Sequence, residues 1–285
     1  VTSTLIPACG PTLNEVDDRS FRRLADRVYA DCGIVLSDGK RNLVTSRLAR
    51  RLRDLGLEDF DAYCRFIESA GGAEERRRMI SLLTTNVTKF FREAHHFTSL
   101  ERQVLPPLVE RARGGGRVRL WSAGCSSGQE PYSIAATLRK LMPDAAKHDM
   151  RILGTDIDPE MIRIGRAAIY QDAGDAQIPA EMRRLMFGPG QATEKGCRIV
   201  PELQALVTLA ELNLMQEWPM RGRFDVIFCR NVVIYFDAPT QARLWARFAE
   251  VLAPGGYLFV GHSERVSGPA CGQFGPAGVT QYRRL

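Results

Sequence analysis

Apolar residues recur every three or four positions from residue 17 to residue 83, and this stretch contains no alternating run that would suggest a strand. FRRLADRVYADCGI (21–34), RNLVTSRLARRLRDLG (41–56), LEDFDAYCRFIES (57–69) and ERRRMISLLTTN (75–86) therefore predict four helices, separated by Gly, Asp and Ser. Residues 1–14 carry two prolines and no period, and read as a loose leader. TTNVTKFFR (84–92) breaks the helical pattern with β-branched and capping residues, and is expected to link two domains.

Beyond the linker the period changes. RVRLWSA (117–123), MRILGTD (150–156), LVTLAEL (206–212), FDVIFCRN (224–231) and GGYLFVGHS (255–263) are short apolar runs that read as strands. Helical patterns at 131–142, 159–169 and 241–252 separate them, the first with Pro131 at its opening position. Such alternation predicts an α/β fold built on a doubly wound parallel sheet, with ligands beyond the carboxyl ends of the strands. Residues 171–205, including GPGQATEKGCRIVPEL, interrupt the rhythm and read as a glycine-rich β excursion. The expected organisation is a helical domain at 15–83, a linker at 84–92 and an α/β domain at 93–285.

Composition narrows the setting. No apolar run is long enough to span a bilayer, and the first residues do not read as a signal peptide. The seven cysteines are spread singly, without a CxxC pair, which argues against a structural zinc site or a disulfide framework and for a cytoplasmic setting. A net charge of +6 favours an acidic partner without naming it.

The strand ends carry the candidate chemistry. AGCSSGQE follows the first strand, Asp156 and Asp158 the second, Asn213 the third, and Arg230-Asn231 the fourth. A glycine turn admits close approach of a ligand, and an acidic residue ending the second strand suits ribose hydroxyls. Neither GxGxxG nor GxxxxGK[ST] is present, which disfavours NAD and removes a P-loop. The turn lacks Lys and Arg, and Glu130 stands at the following helix start. A carboxylate there is weakly stabilised by the helix dipole, so a purely structural role is open. It would repel phosphate and welcome an amine. S-adenosylmethionine (SAM), with adenosine, an amino-acid tail and no phosphate, matches these corners better than a nucleotide.

TTNVTKFFRE, WSAGCSSGQEPYSIA, GTDID, FDVIFCRNVVIYFD and GGYLFVGHSE, in this order and spacing, resemble the chemotaxis receptor methyltransferases, the CheR family. The resemblance covers nearly the whole chain. It implies an N-terminal all-α domain, then a class I SAM-methyltransferase (Rossmann-like) domain with a small inserted β-subdomain. It implies esterification of glutamate side chains on the cytoplasmic signalling helices of methyl-accepting chemotaxis receptors, releasing S-adenosylhomocysteine (SAH), with no metal. Carried over by motif, the SAM contacts are Asn86, Thr88, Arg92, Glu130, Asp156, Asn213, Leu214, Arg230 and Asn231. Arg92 and Tyr235 would lie near the transferred methyl. Gln129 stands where some relatives have a second Glu, and its role is open. A substrate glutamate, with a pKa of about 4.3, is already ionised at neutral pH, so no general base is required.

The stretch 40–53 carries six basic residues and no acidic one. At ~100° per residue, Lys40, Arg47, Arg50 and Arg51 share a sector beside Val44, Leu48, Leu52 and Leu55. Such a face is commonly only solvated. The resemblance makes it a docking surface for the acidic methylation region of the receptor, with Arg47, Arg50, Arg51 and Arg53 as its residues. In some relatives the β-subdomain grips a short peptide from the receptor C-terminus; its glycine-rich loop, Gly188-Pro189-Gly190 to Gly196, is present here, and whether it binds such a tail is open. The expected protein is a monomer that neither binds nucleic acid nor inserts into a membrane. A nucleic-acid methyltransferase is disfavoured because the fourth corner reads RNVVIY without the prolines of an [ND]PP[YF] motif. The other alternative is a non-catalytic SAM-binding adaptor. His95 and His96 read as surface or packing residues, not metal ligands, and His262 has no assigned role.

Overall fold

The computed structural model describes residues 15–171 and 178–285. The leader at 1–14 and residues 172–177 of the expected β excursion lie outside them. The chain divides into two compact units, one ending at Thr84 and one beginning at Thr85.

The first unit is all helical: α1 (Asp18–Cys32), α2 (Arg41–Asp54), α3 (Phe60–Glu68) and α4 (Ala73–Leu83). Asp17 caps α1 by accepting from the N–H groups of Arg19 and Ser20, and Asp59 caps α3 through Ala62 N–H. Gly33, at φ 73°, ends α1 in the left-handed conformation. Helix α1 packs on α3 and α2 on α4, burying Phe21, Leu24, Val28, Val44, Leu48, Leu52, Tyr63, Ile67 and Met79. The apolar stripe expected at Val44, Leu48 and Leu52 is therefore the inward face, while Leu55 is half-buried.

The second unit opens with α5 (Ala94–Ser99) and α6 (Leu105–Arg113) and then builds a seven-stranded sheet. Its strands are β1 (Val118–Ala123), β2 (Met150–Asp156), β6 (Val207–Glu211), β7 (Phe224–Cys229), β8 (Leu252–Val260), β9 (Phe274–Gly278) and β10 (Gln281–Arg284). The order is β6-β2-β1-β7-β8-β10-β9. The first five run parallel, as expected, but β10 pairs antiparallel with both β8 and β9. The sheet is thus mixed. Its closing hairpin was illegible because FGPAG is short and broken by Gly and Pro, which weaken a strand signal.

Helices α7 (Gln129–Leu141), α8 (Pro159–Ala167) and α11 (Ala238–Val251) fall between the parallel strands. Both sheet faces are covered. Leu120, Ile152, Phe228 and Phe259 join one buried cluster with α6 and α7, while Trp121, Ile227, Leu258 and Val260 join another with α11. This alternation is the two-residue period of a strand covered on both sides.

The inserted segment is not purely β. Strands β3 (Ile169–Tyr170), β4 (Ala192–Thr193) and β5 (Gly196–Arg198) form an antiparallel sheet in the order β3-β5-β4. Helix α9 (Ala180–Met186) lies between β3 and β4, and α10 (Pro201–Gln204) leads into β6. Met182 and Met186 are buried, so α9 is retained by its apolar face in a segment whose glycines suggested turns.

Candidate active site

From β1 the chain winds outward through β2 to β6, then returns to place β7 on the other side of β1. The carboxyl ends of β1 and β7 therefore flank a topological switch point, where doubly wound sheets bind ligands. Strand β7 stops at Cys229, two residues earlier than expected, and Asn231 turns at φ 59°. After β1, Gly124 and Gly128 adopt φ 79° and 94°. A Cβ at Gly124 would lie 2.4 Å from Val232, so this glycine lets the two turns pack against each other.

Glu130 and Arg230 bridge the switch point. Ser122 Oγ–H donates to Glu130 Oε1 at 2.7 Å, and Arg230 Nη1 donates to Oε2 at 2.9 Å. The Arg230 side chain, 2% exposed, also pairs with Glu93 Oε2 at 3.3 Å and donates to the Arg92 carbonyl. Its guanidinium lies over the Phe97 ring. Arg230 is therefore built into the site wall between two carboxylates. Burial opposes ionisation of Glu93, but Arg230 and hydrogen bonds from His262 outweigh it and hold the carboxyl at about 2. Burial, with Arg230 and His95 adding to it, lowers His96 to about 3, so that imidazole is neutral. Two carboxylates facing one guanidinium leave this corner with excess negative charge. It suits an ammonium group and opposes phosphate.

The β2 corner ties the linker down. Asp156 Oδ2 accepts from Ser126 N–H at 2.7 Å, and Oδ1 from Asp158 N–H at 3.0 Å. Asp158 caps α8 through Glu160 N–H and accepts from Asn86 Nδ2 at 2.7 Å, while Ser126 Oγ–H donates to the Asn86 carbonyl. Asn86 and Asp156 thus belong to one connected network. Burial raises the Asp156 carboxyl to about 6, against those backbone hydrogen bonds.

The other expected residues are placed as follows. Thr88 and Arg92 are half-buried in the linker, where Arg92 Nη1 donates to the Val87 carbonyl at 3.0 Å. Asn213 and Leu214 lie on the turn after β6. Asn213 Oδ1 accepts from Met215 N–H, and Leu214 is buried in the α11-side core. Asn231 Nδ2 approaches Glu93 Oε1 at 3.4 Å, and Tyr235 is half-buried on the helical turn Val233–Tyr235. Sequence reasoning missed Glu93 and Glu264. Both stand inside quoted motifs, but nothing in their spacing distinguishes a carboxylate that organises a loop from one on the surface.

The four arginines expected to dock the receptor fall into two kinds of surroundings. Arg47 donates to the Leu82 and Thr84 carbonyls at the end of α4. Arg51 forks onto Glu75, a carboxylate only 5% exposed that also accepts from Tyr63 O–H. Their charges are engaged inside the helical unit because α2 packs on α4. Arg50 and Arg53 are exposed.

The histidine pair divides as well. His95 is exposed, while His96 is buried with Nε2 at 2.9 Å from Thr280 Oγ1. Glu93, His95 and His96 could bring ligand atoms within 4.8 Å of one another, but Arg230 already supplies positive charge at Glu93. Among the described residues no helix is long and apolar enough to cross a membrane.

Residues 86–282 match the model of the CheR methyltransferase SAM binding domain, and residues 19–84 that of the CheR methyltransferase all-alpha domain. The chain belongs to the CheR methyltransferase family. It is 51% identical over 257 residues to a probable chemotaxis protein methyltransferase of Rhizobium etli, covering 90% of this chain and 96% of that one. The chemotaxis protein methyltransferase of Escherichia coli is 42% identical over 255 residues, covering 88% and 86%. Chemotaxis protein methyltransferase 2 of Pseudomonas aeruginosa is 39% identical, covering 92% of each. As a CheR-family member the protein is a SAM-dependent methyltransferase of chemotaxis.

The residues at the strand ends fit that cofactor. Asp156 would hold a ribose diol with its carboxylate, and the negative corner at Glu130 would receive the ammonium of the aminoacyl tail.

Proposed function

We propose that this chain transfers the methyl group of SAM to glutamate side chains on the cytoplasmic signalling helices of methyl-accepting chemotaxis receptors, giving glutamate methyl esters and SAH. The observation that carries the reading is the excess negative charge at the β1–β7 switch point, in a chain matched to the CheR models in both units.

The cofactor supplies an activated methyl on a sulfonium. The protein's task is placement and exclusion of water, the positioning that gives large effective molarities. Asp156 holds the ribose, Glu130 receives the ammonium, and Asn86 fastens the linker beside them through Asp158. Thr88, Asn213, Leu214 and Asn231 complete the cofactor contacts. Arg230 holds Glu130 and Glu93 in place, a supporting role in addition to the contact implied by its motif. Arg92 orients the incoming carboxylate, and Tyr235 shapes the methyl site. The acceptor is already an anion, so the site needs no base.

Arg50 and Arg53 of the helical unit face the acidic region of the receptor. A receptor C-terminal peptide adds as a strand to the β3-β5-β4 sheet, which would raise the local enzyme concentration. The protein acts in the cytoplasm as a monomer, without a metal.

Two measurements test this reading. Calorimetry with SAH should show binding that Asp156→Ala weakens at least about tenfold, roughly the 1.4 kcal/mol of one good hydrogen bond to a charged group. Labelled SAM with a receptor cytoplasmic fragment should place label in a base-labile ester. No SAH binding at millimolar concentration, or no receptor labelling by an enzyme that binds SAH, would overturn it.

A further inference from the structure

Glu264 has no part in the roles assigned above, yet its carboxylate is 3% exposed and fully engaged. Oε1 accepts from the N–H groups of Val232 at 2.8 Å, Val233 at 2.9 Å and Ile234 at 3.3 Å. Oε2 accepts from Asn231 N–H at 2.8 Å and Gly261 N–H at 2.6 Å. All five donors are backbone groups; burial raises the Glu264 pKa, and the converging amide dipoles offset part of that cost.

Four of these donors belong to the turn that leaves β7. Once β7 stops at Cys229, the 231–234 amides have no sheet neighbour, and Asn231 turns the chain at φ 59°, a left-handed conformation that asparagine tolerates better than most side chains. Gly261 permits the approach. A Cβ there would lie 2.7 Å from Glu264 Oε2 and 2.8 Å from Asn231 N. Glu264 therefore clasps the turn after β7 to the turn after β8. That first turn carries Arg230 at its start and Tyr235 at its end.

We propose that Glu264 is a positioning residue for methyl transfer: by gathering the N–H groups of residues 231–234, its carboxylate fixes the turn that presents Arg230, Asn231 and Tyr235. The inference rests on the reading of this corner as the SAM and methyl-acceptor site. Charge and symmetry both matter to the clasp. A Gln side chain must point its NH2 at either the three donors now on Oε1 or the two on Oε2, opposing donor to donor.

The test compares the full chain with Glu264→Gln. Its readouts are kcat and KM with a receptor fragment, SAH affinity, thermal midpoint, and amide hydrogen exchange at residues 231–234. The expected result is a fall in kcat of about a hundredfold, the cost of misplacing groups by roughly 1 Å. SAH affinity should fall too, since Arg230 and Asn231 move with the turn, but by less than kcat because the Asp156 corner is intact, and the four amides should lose protection. Unchanged kcat, or loss of activity with the four amides still protected, would overturn the proposal. Should the variant fail to fold, exchange in the wild type decides. Protection matching that of β7 supports the clasp, and exchange at the rate of an unprotected loop overturns it. If the wild type binds no SAH, the site reading and this inference fall together. If it binds and methylates while Glu264→Gln does the same, only the inference falls.

Discussion

Arg230→Met keeps most of the side-chain volume and removes the charge between Glu130 and Glu93. The guanidinium lies 2.9 Å from the first and 3.3 Å from the second, and those carboxylates are only 13% and 12% exposed. Glu93 titrates at about 2, against an ordinary 4.5. At about 1.4 kcal/mol per pKa unit, this lowering is worth roughly 3 kcal/mol of stability. The depressed pKa sets the sign. The contribution is complete above the ordinary value and is lost as the pH falls through about 2. Without Arg230, burial is opposed chiefly by the hydrogen bonds from His262, and the Glu93 pKa rises. The variant should therefore lose about 3–5 kcal/mol at pH 7, as when one partner is stripped from a buried pair. That deficit should shrink toward pH 4, because the stranded carboxyl takes up a proton in the folded state. Urea unfolding followed by tryptophan emission measures it. Trp121, Trp218 and Trp245 all lie in the second unit, so the signal is specific to it. A loss below about 1 kcal/mol at pH 7, or a deficit that grows on acidification, would refute the reasoning.

Other outcomes follow from the same geometry. Burial raises Asp156 to about 6, so it costs the unliganded protein stability at neutral pH, and that cost is relieved as the pH falls through about 6. Ribose hydroxyls donate to the ionised form, so SAH affinity measured by calorimetry should be level above pH 7 and fall toward tenfold per unit below about 6. Arg51→Ala strands Glu75 and should lower the thermal midpoint of the helical unit, seen by circular dichroism. Arg50→Glu with Arg53→Glu should leave that midpoint unchanged and reduce receptor methylation, most strongly at low salt. Unchanged methylation at every salt concentration would remove the docking role. Arg92→Ala and Tyr235→Phe should each lower kcat at saturating SAM by at least about tenfold. An unaltered rate would reject the roles given to them.

The residues themselves determined much of this protein. The change of period at the linker separated an all-helical unit from an α/β unit, because 3.6- and 2-residue repeats follow from backbone geometry alone. Asp156 and Glu130 stood out as candidates because strand–helix alternation places strand ends at a ligand crevice, and their charges favour some ligands over others. Tertiary structure decided which charges are available. Arg47 and Arg51 lie on the same basic helix as Arg50 and Arg53, but α4 brings Glu75 and its terminal carbonyls against only the first two. Arg230 reads as a ligand contact, yet the fold sets it between Glu130 and Glu93, 100 and 137 residues away in the chain. Glu264 and Asn231 are separated by 33 residues and meet only because β7 and β8 are neighbours in the sheet. Local patterns record what each segment can form. Pairings between distant segments depend on sheet order and helix packing, and these determine which charged side chains are tied to one another.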